Sequence, residues 1–531
     1  MFALDCGGRF MLKKKRLLPK LVLLIFALSC LLSGIQSLAV TPDVWTLKAQ
    51  IPSGRTTGLA VMNSNGCVYV VGGGTTAFER YFVTSNSWES RANLNAARNN
   101  PGVAFGNGSF HVFGGMVSNS PTNTVEKHNF STNSWSYVAN MPTARASMGV
   151  VAVDGKIYCI GGEGAGSALL STVECYDPAT DTWTTKASMP TARTGLTVAA
   201  VKGKIYAVGG RITGGNCTNV VECYDPATNT WTTKASANSY RTDAAAAVIQ
   251  NKIYVAGGKN KISAYQRTLE AYDVNTNSWE FLPDIQYQRT DLALVSVYGK
   301  LYAFGGASSA GENTTYPEEF FPSTSLKGYW NFGEALKDNS GYDNNINYTE
   351  SIAVYHDGPF GSYIYKSGNS YLTVPNSSSL NFGTGDFSIA CWFKTTETKT
   401  YNTIIDKRDA TKGYLFLLYN GKPLVQIADG AGYANYYPST STTYNDGQWH
   451  FFAATADRDS SLKFYMDGTT PIYTANPSAR SGDTSNTTNL LITGHRDNMD
   501  AYFRGYLDEI RLFNRVLTTS EINDLRTYSV P

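Results

Sequence analysis

Short apolar strands closed by a glycine pair recur along the chain. They read Val-Tyr-Val-Val before Gly72, His-Val-Phe before Gly114, Ile-Tyr-Cys-Ile before Gly161, Ile-Tyr-Ala-Val before Gly209, Ile-Tyr-Val-Ala before Gly257 and Leu-Tyr-Ala-Phe before Gly305. The intervals are 42, 47, 48, 48 and 48 residues. A tryptophan keeps the same beat at Trp45, Trp88, Trp135, Trp183, Trp231 and Trp279, and an aromatic-Asp-Pro turn lies between, as in Tyr176-Asp177-Pro178 and Tyr224-Asp225-Pro226. Each period has room for one four-stranded sheet. One such sheet cannot bury both faces, whereas six arranged radially can. The glycine pair turns the backbone where no Cβ fits, and the aromatic residues fill the wedge between neighbouring sheets.

Strand, Gly-Gly, aromatic, turn and Trp staying in phase over six copies resemble kelch repeats. The resemblance implies a six-bladed β-propeller over residues 40–324. The sixth unit continues as Pro317-Glu318-Glu319-Phe320-Phe321-Pro322, in phase with Val173-Glu174-Cys175-Tyr176-Asp177-Pro178, but lacks its Trp; Lys327 stands there. Val44-Trp45-Thr46-Leu47-Lys48-Ala49 matches Thr182-Trp183-Thr184-Thr185-Lys186-Ala187 instead. The N-terminal segment is therefore expected to supply the outer strand of the last blade, closing the ring and removing a sheet edge.

A second pattern begins at Leu326-Lys327-Gly328-Tyr329-Trp330 and runs through Phe387–Phe393, Asp446-Gly447-Gln448-Trp449-His450, Leu462–Gly468 and Phe503–Phe513. Alternating apolar and polar residues split by Gly, Asn and Asp predict antiparallel strands. Thr518 and Glu521 have capping-box spacing for a final helix over 518–526. The order of segments resembles the laminin-G-like, concanavalin A-like jelly-roll family over 325–531, so the expected fold class is all-β throughout. The resemblance implies extracellular binding of glycans or proteins, often with calcium. It points to Asp338, Asn339 and Asp508 as calcium ligands, hard oxygen donors suited to that ion; the alternative is that these residues end strands and satisfy turn amides.

Charged side chains make up only 16%, and aromatic content is too high for a disordered chain. Lys13–Arg16 and Lys20 precede an apolar run from Leu21 to Leu32, and Ser37-Leu38-Ala39 offers small residues at the positions a signal peptidase reads. This predicts an export signal over 1–39, with Met11 as an alternative start. An uncleaved anchor is the rival reading, but the run is short for a spanning helix, and no later run has spanning length. Without residues 1–39 the chain has 38 basic and 41 acidic side chains, a net of −3, with no basic stripe for nucleic acid. A secreted or cell-surface location follows as the expectation. Six cysteines remain, at 67, 159, 175, 217, 223 and 391, in no zinc pattern. Cys159 with Cys175, or Cys217 with Cys223, could bridge within a blade; the alternative is small buried strand residues.

Candidate chemistry is sparse. Five histidines form no repeat-derived cluster of His and Tyr, and no sialidase box or Glu-x-Asp-x-x-Glu segment occurs. No catalytic residue is assigned. Arg55, Arg98, Arg145, Arg193, Arg241 and Arg289 each precede the first strand of a blade. They could form an anion-binding ring, but their presence in every blade favours structural pairing with repeat acids such as Glu126, Glu174, Glu222 and Glu270. Ligand sites differ from blade to blade, so the varying loop residues are the better candidates: Asn99, Asn100, Ser147, Asp243 and Asp291 after the arginine, and Glu163, Arg211 and Lys259 after Gly-Gly. These expectations describe a recognition or adhesion protein for an extracellular protein or glycan. The alternative is a carbohydrate-active propeller, a hydrolase or sugar isomerase, with the sandwich as its carbohydrate-binding module. A carboxylate cluster with strongly shifted pKa in the propeller channel would favour the enzyme.

Overall fold

Each repeat folds as one antiparallel sheet. In the fourth, strands Thr197–Val201, Lys204–Val208, Val221–Asp225 and Thr230–Lys234 pair in that order, with Val208 opposite Val221 and Tyr224 opposite Trp231. The second and third strands are buried on both faces; the second reads as an apolar run, Ile205–Val208, while the third buries Glu222 among Val221, Cys223 and Tyr224. The outer strand alternates, burying its tryptophan edge while its threonines face solvent. The computed structural model describes residues 43–527 except 56, 65, 262, 309–313, 323, 333–335, 348–352, 359–360, 367–370 and 498–499. The export segment 1–39 and the domain junction at Ser323 lie outside the described residues.

Six four-stranded sheets of this kind stand side by side, and the innermost strand of the sixth, Thr290–Val297, packs against that of the first, Leu59–Ser64. Closure follows the expected route. Strand Trp45–Leu47 pairs with Glu318–Phe320 as the outer strand of the last sheet, Trp45 opposite Phe320. A repeated hydrogen bond joins neighbouring blades: the indole of Trp88, Trp135, Trp183, Trp231 and Trp279 donates to the carbonyl of Ala49, Ala92, Ala139, Ala187 and Ala235 at 2.8–2.9 Å. Trp45 completes the circle by donating to Pro283 O at 3.0 Å, and it stacks on Phe320 with centroids 4.8 Å apart. Trp45 is buried, so Trp45→Ala is expected to cost about 3–5 kcal/mol. Thermal unfolding followed by near-UV circular dichroism checks this; an unchanged midpoint would mean the N-terminal strand does not hold the ring shut.

The repeat arginines are structural. All six are buried and paired, Arg55–Glu79, Arg98–Glu126, Arg145–Glu174, Arg193–Glu222, Arg241–Glu270 and Arg289–Glu318. Each also donates to the carbonyl of the first glycine of its own Gly-Gly, at 2.6–3.0 Å. A guanidinium with five fixed donors is what lets one side chain serve both the glycine carbonyl and a carboxylate. The six cysteines from Cys67 onward are free and buried, so none of the possible blade disulfides forms. Cys159 sits opposite Glu174 rather than Cys175.

The C-terminal part is a two-layer β-sandwich. Strands Leu326–Trp330, Ala353–Gly358, Gly361–Lys366, Phe387–Lys394, Trp449–Asp457, Ser461–Met466, Pro471–Ala475 and Gly505–Phe513 make one sheet, and six strands between Leu372 and Ile492 make the other. Phe387, Phe393, Phe416, Phe452 and Trp330 fill the space between them, Phe416 stacked on Phe452 at 4.1 Å. Helix Thr519–Thr527 lays Ile522 and Leu525 on the outer face of the larger sheet, beside Phe451 and Phe513. Its capping box forms, with Thr518 N donating to Glu521 Oε2 at 2.8 Å and Glu521 N to Thr518 Oγ1 at 3.3 Å. The sandwich meets the hairpin-turn end of the propeller through Lys202–Asp524 (2.6 Å) and Lys300–Asp343 (2.9 Å), which leaves the other end of the channel open.

Candidate functional site

At that open end one residue from each blade enters the axis: Gly58, Asn100, Ser147, Gly195, Asp243 and Asp291. All six have φ between +49° and +66°. The amide of each donates to the carbonyl of the one before it, from Asn100 to Gly58 through Asp291 to Asp243, at 2.8–3.1 Å. The left-handed conformation favours Gly, Asn and Asp, which accounts for most of the residue types found here. The next residue in each blade, Leu59, Pro101, Met148, Leu196, Ala244 and Leu292, forms an apolar collar beneath the polar ring, and, Gly58 aside, the two rings line a pocket of about 100 Å3.

Four of the sequence-expected residues, Asn100, Ser147, Asp243 and Asp291, therefore converge on one pocket. Asn100 Nδ2 donates to Ser147 Oγ at 3.2 Å. Asp243 leans over its neighbour: a Cβ at Gly195 would fall 2.1 Å from Asp243 Oδ1. The other four stand one step out. The Glu163, Arg211 and Lys259 backbones pair with Ala146, Thr194 and Thr242, just before the ring, Arg211 is bridged to Glu163 at 2.9 Å, and Asn99 is exposed at the rim. Lys259 lies 5.1 Å from the Tyr265 ring centroid.

The two carboxyls carry the unusual electrostatics. Burial pushes the Asp243 carboxyl up to about 7, the Asp291 charge adding to the effect and Lys259 opposing it. Burial also raises Asp291, again against Lys259. Near neutral pH the pair shares protons rather than carrying two full charges. The phase of the repeat made the loop positions readable, but Gly58 and Gly195, which complete the ring, were missed because glycine offers no side chain to notice.

Asp338, the first of the expected calcium ligands, is engaged by four protein donors. Asp338 Oδ1 accepts from Tyr329 N (2.9 Å) and Ser340 N (2.8 Å), and Oδ2 from Asn344 N (2.9 Å) and Ser340 Oγ (2.8 Å). Asn339 donates its amide to Asn331 Oδ1 at 3.0 Å. Asp508 is buried on strand Gly505–Phe513, beside Tyr329 and Arg511. Through its four hydrogen bonds Asp338 closes a turn. Asp338→Ala is expected to cost about 3 kcal/mol or more through the orphaned amides; melting of the wild type with calcium and with chelator decides the metal reading, a calcium-dependent rise supporting it and an unchanged midpoint leaving Asp338 to the turn alone.

The chain thus joins a kelch-type β-propeller to a laminin-G-like, concanavalin A-like sandwich. Residues 68–306 match the Attractin/LZTR1 beta-propeller family, and residues 366–523 match the concanavalin A-like lectin/glucanases superfamily. A solved structure described as "Structure of YjhT" is 19% identical over 50% of this chain and 94% of that one, with a TM-score of 0.45. No curated protein matches the sequence.

Proposed function

We propose that the chain is an exported recognition protein, secreted or held at a cell surface, that receives an extracellular protein segment or glycan at the open mouth of its propeller. The observation that carries this reading is the pairing of Asp243 with Asp291 in adjacent blades of the axial ring. Backbone geometry alone is satisfied there by glycine, as Gly58 and Gly195 demonstrate. Two half-buried carboxylates side by side cost repulsion and desolvation, a cost offset when a ligand donates hydrogen bonds into them. Sugar hydroxyls, or a lysine or arginine side chain of a peptide, have that chemistry. The basic-then-apolar start of the chain supports export.

The test is calorimetric titration of the whole protein with oligosaccharides and with basic peptides. Asp243→Asn combined with Asp291→Asn is expected to weaken binding at least tenfold, because each amide presents a donor where the ligand also donates. Equal affinity in the variant would remove the mouth from consideration.

The same pair favours a second reading, a carbohydrate-active propeller. One protonated and one ionised carboxyl can act as general acid and base towards a sugar. Proton NMR of candidate sugars with catalytic amounts of protein separates the two: turnover that disappears in Asp243→Asn supports the enzyme, and binding without turnover supports recognition.

A further inference from the structure

The larger sheet of the sandwich has an outer face that helix Thr519–Thr527 covers only in part. Beyond the helix, three strands contribute aromatic rings to that face: Tyr363 and Tyr365 from Gly361–Lys366, Tyr506 from Gly505–Phe513 and Trp449 from Trp449–Asp457, with Tyr355 of Ala353–Gly358 at the edge. Strand alternation puts them there, because their neighbours Ile364, Leu507 and Phe393 point into the core. The register aligns Tyr365, Tyr506, Lys394 and Trp449 in one row across four adjacent strands. The rings touch in a continuous patch: Tyr365 to Tyr506 at 4.7 Å, Tyr355 to Tyr363 at 5.3 Å, and Tyr363 to both Tyr506 and Trp449 at 5.5 Å.

A satellite core would bury such rings. Here Tyr355 is 41% exposed, and Tyr363, Tyr365, Tyr506 and Trp449 are half-buried. The row also borders a groove of about 510 Å3 lined by Tyr365, Tyr506, Lys394, Thr395, Glu397 and Arg504. Arg504 faces Glu397 at 3.3 Å, and the Lys394 ammonium lies 5.5 Å from the centre of the Tyr506 ring. Flat rings beside a dense set of charged donors and acceptors match a pyranose, whose axial C–H groups present an apolar face and whose equatorial hydroxyls demand hydrogen bonds at the edge. A protein partner would be expected to need a larger apolar area without the intervening Lys394.

We propose that the Tyr365–Tyr506–Trp449 row with its groove is a binding platform for a pyranoside glycan, separate from the propeller mouth. The proposal rests on the recognition reading only in treating the sandwich as a binding module. Its test uses the full chain on immobilised oligosaccharides of glucose, mannose, galactose and galacturonic acid. At least one series is expected to bind, with tenfold or greater loss in Trp449→Ala and in Tyr506→Ala, and retention in Tyr506→Phe. Tyr506→Phe keeps the ring and so separates lost stacking from lost folding. No binding in any series, or binding indifferent to both alanine variants, overturns the platform. Binding lost only in the double aspartate variant overturns it too, while leaving recognition at the mouth standing.

Discussion

Replacing Arg193 with methionine is expected to destabilise the propeller by about 3–5 kcal/mol. The side chain is fully buried, and its guanidinium serves Glu222 at 2.9 Å and the carbonyls of Gly209 and Val220, both at 2.9 Å. Burial holds the Arg193 pKa down at about 10, with the Glu222 charge opposing, so the group keeps its charge throughout the neutral range. Methionine fills much of the volume but leaves Glu222 buried without its counter-charge and the carbonyls of Gly209, Val220 and Ala207 each short of a donor. That asymmetry, rather than the worth of the pair itself, sets the size of the effect. Glu222→Gln in the same background removes the stranded charge and is expected to recover part of the loss. Urea unfolding of both variants gives the comparison. A loss under about 1 kcal/mol for the single variant would mean the pair is incidental to the fold.

Asp243 leads to the second large effect, a dependence of stability on pH. In the unfolded chain its carboxyl titrates near 4, whereas in the folded ring burial and Asp291 push it up to about 7. The folded state therefore binds more protons across that window, and stability falls as pH rises through it. Below about pH 4 the penalty is absent, and above about 7 it is complete. The penalty is bounded at about 4 kcal/mol. Lys259, and behind it Arg211, face the pair and moderate the loss. Asp243→Asn is expected to flatten the profile between pH 4 and 7 and to raise the melting temperature at neutral pH. Parallel profiles for wild type and variant would show that the carboxyl is not strained in the folded state. A gain in stability joined to a loss of binding would be the signature of a group kept for function.

Much of the propeller was readable in advance because its information is periodic. A strand ending in Gly-Gly every 42–48 residues states both the unit and its phase, and the missing tryptophan near Lys327 pointed directly at Trp45. The arginines were readable for the same reason: a residue present in every blade answers to something present in every blade. Glu79 and Glu318 complete the set that Glu126, Glu174, Glu222 and Glu270 began. The mouth was partly readable. Repeat phase placed Asn100, Ser147, Asp243 and Asp291 at equivalent positions, but sequence distance does not say that 48 residues bring two carboxyls onto one axis, where burial raises the pKa of both.

The sandwich was less legible because its working parts are not periodic. Asp338 in an Asp-Asn-Ser-Gly segment looks like a metal ligand or a turn, and only the fold of residues 338–344 back onto the carboxylate decides for the turn. The aromatic row joins residues 363–365, 449 and 506, brought together by strand register alone. Repeat pattern and phase sufficed to specify strands, turns and the closing segment, since each is written in the periodic motif. Charge states on the axis, the duty of Asp338 and the continuity of the aromatic face depend on groups far apart in the chain, and burial and register, which exist only once the chain has folded, assigned them.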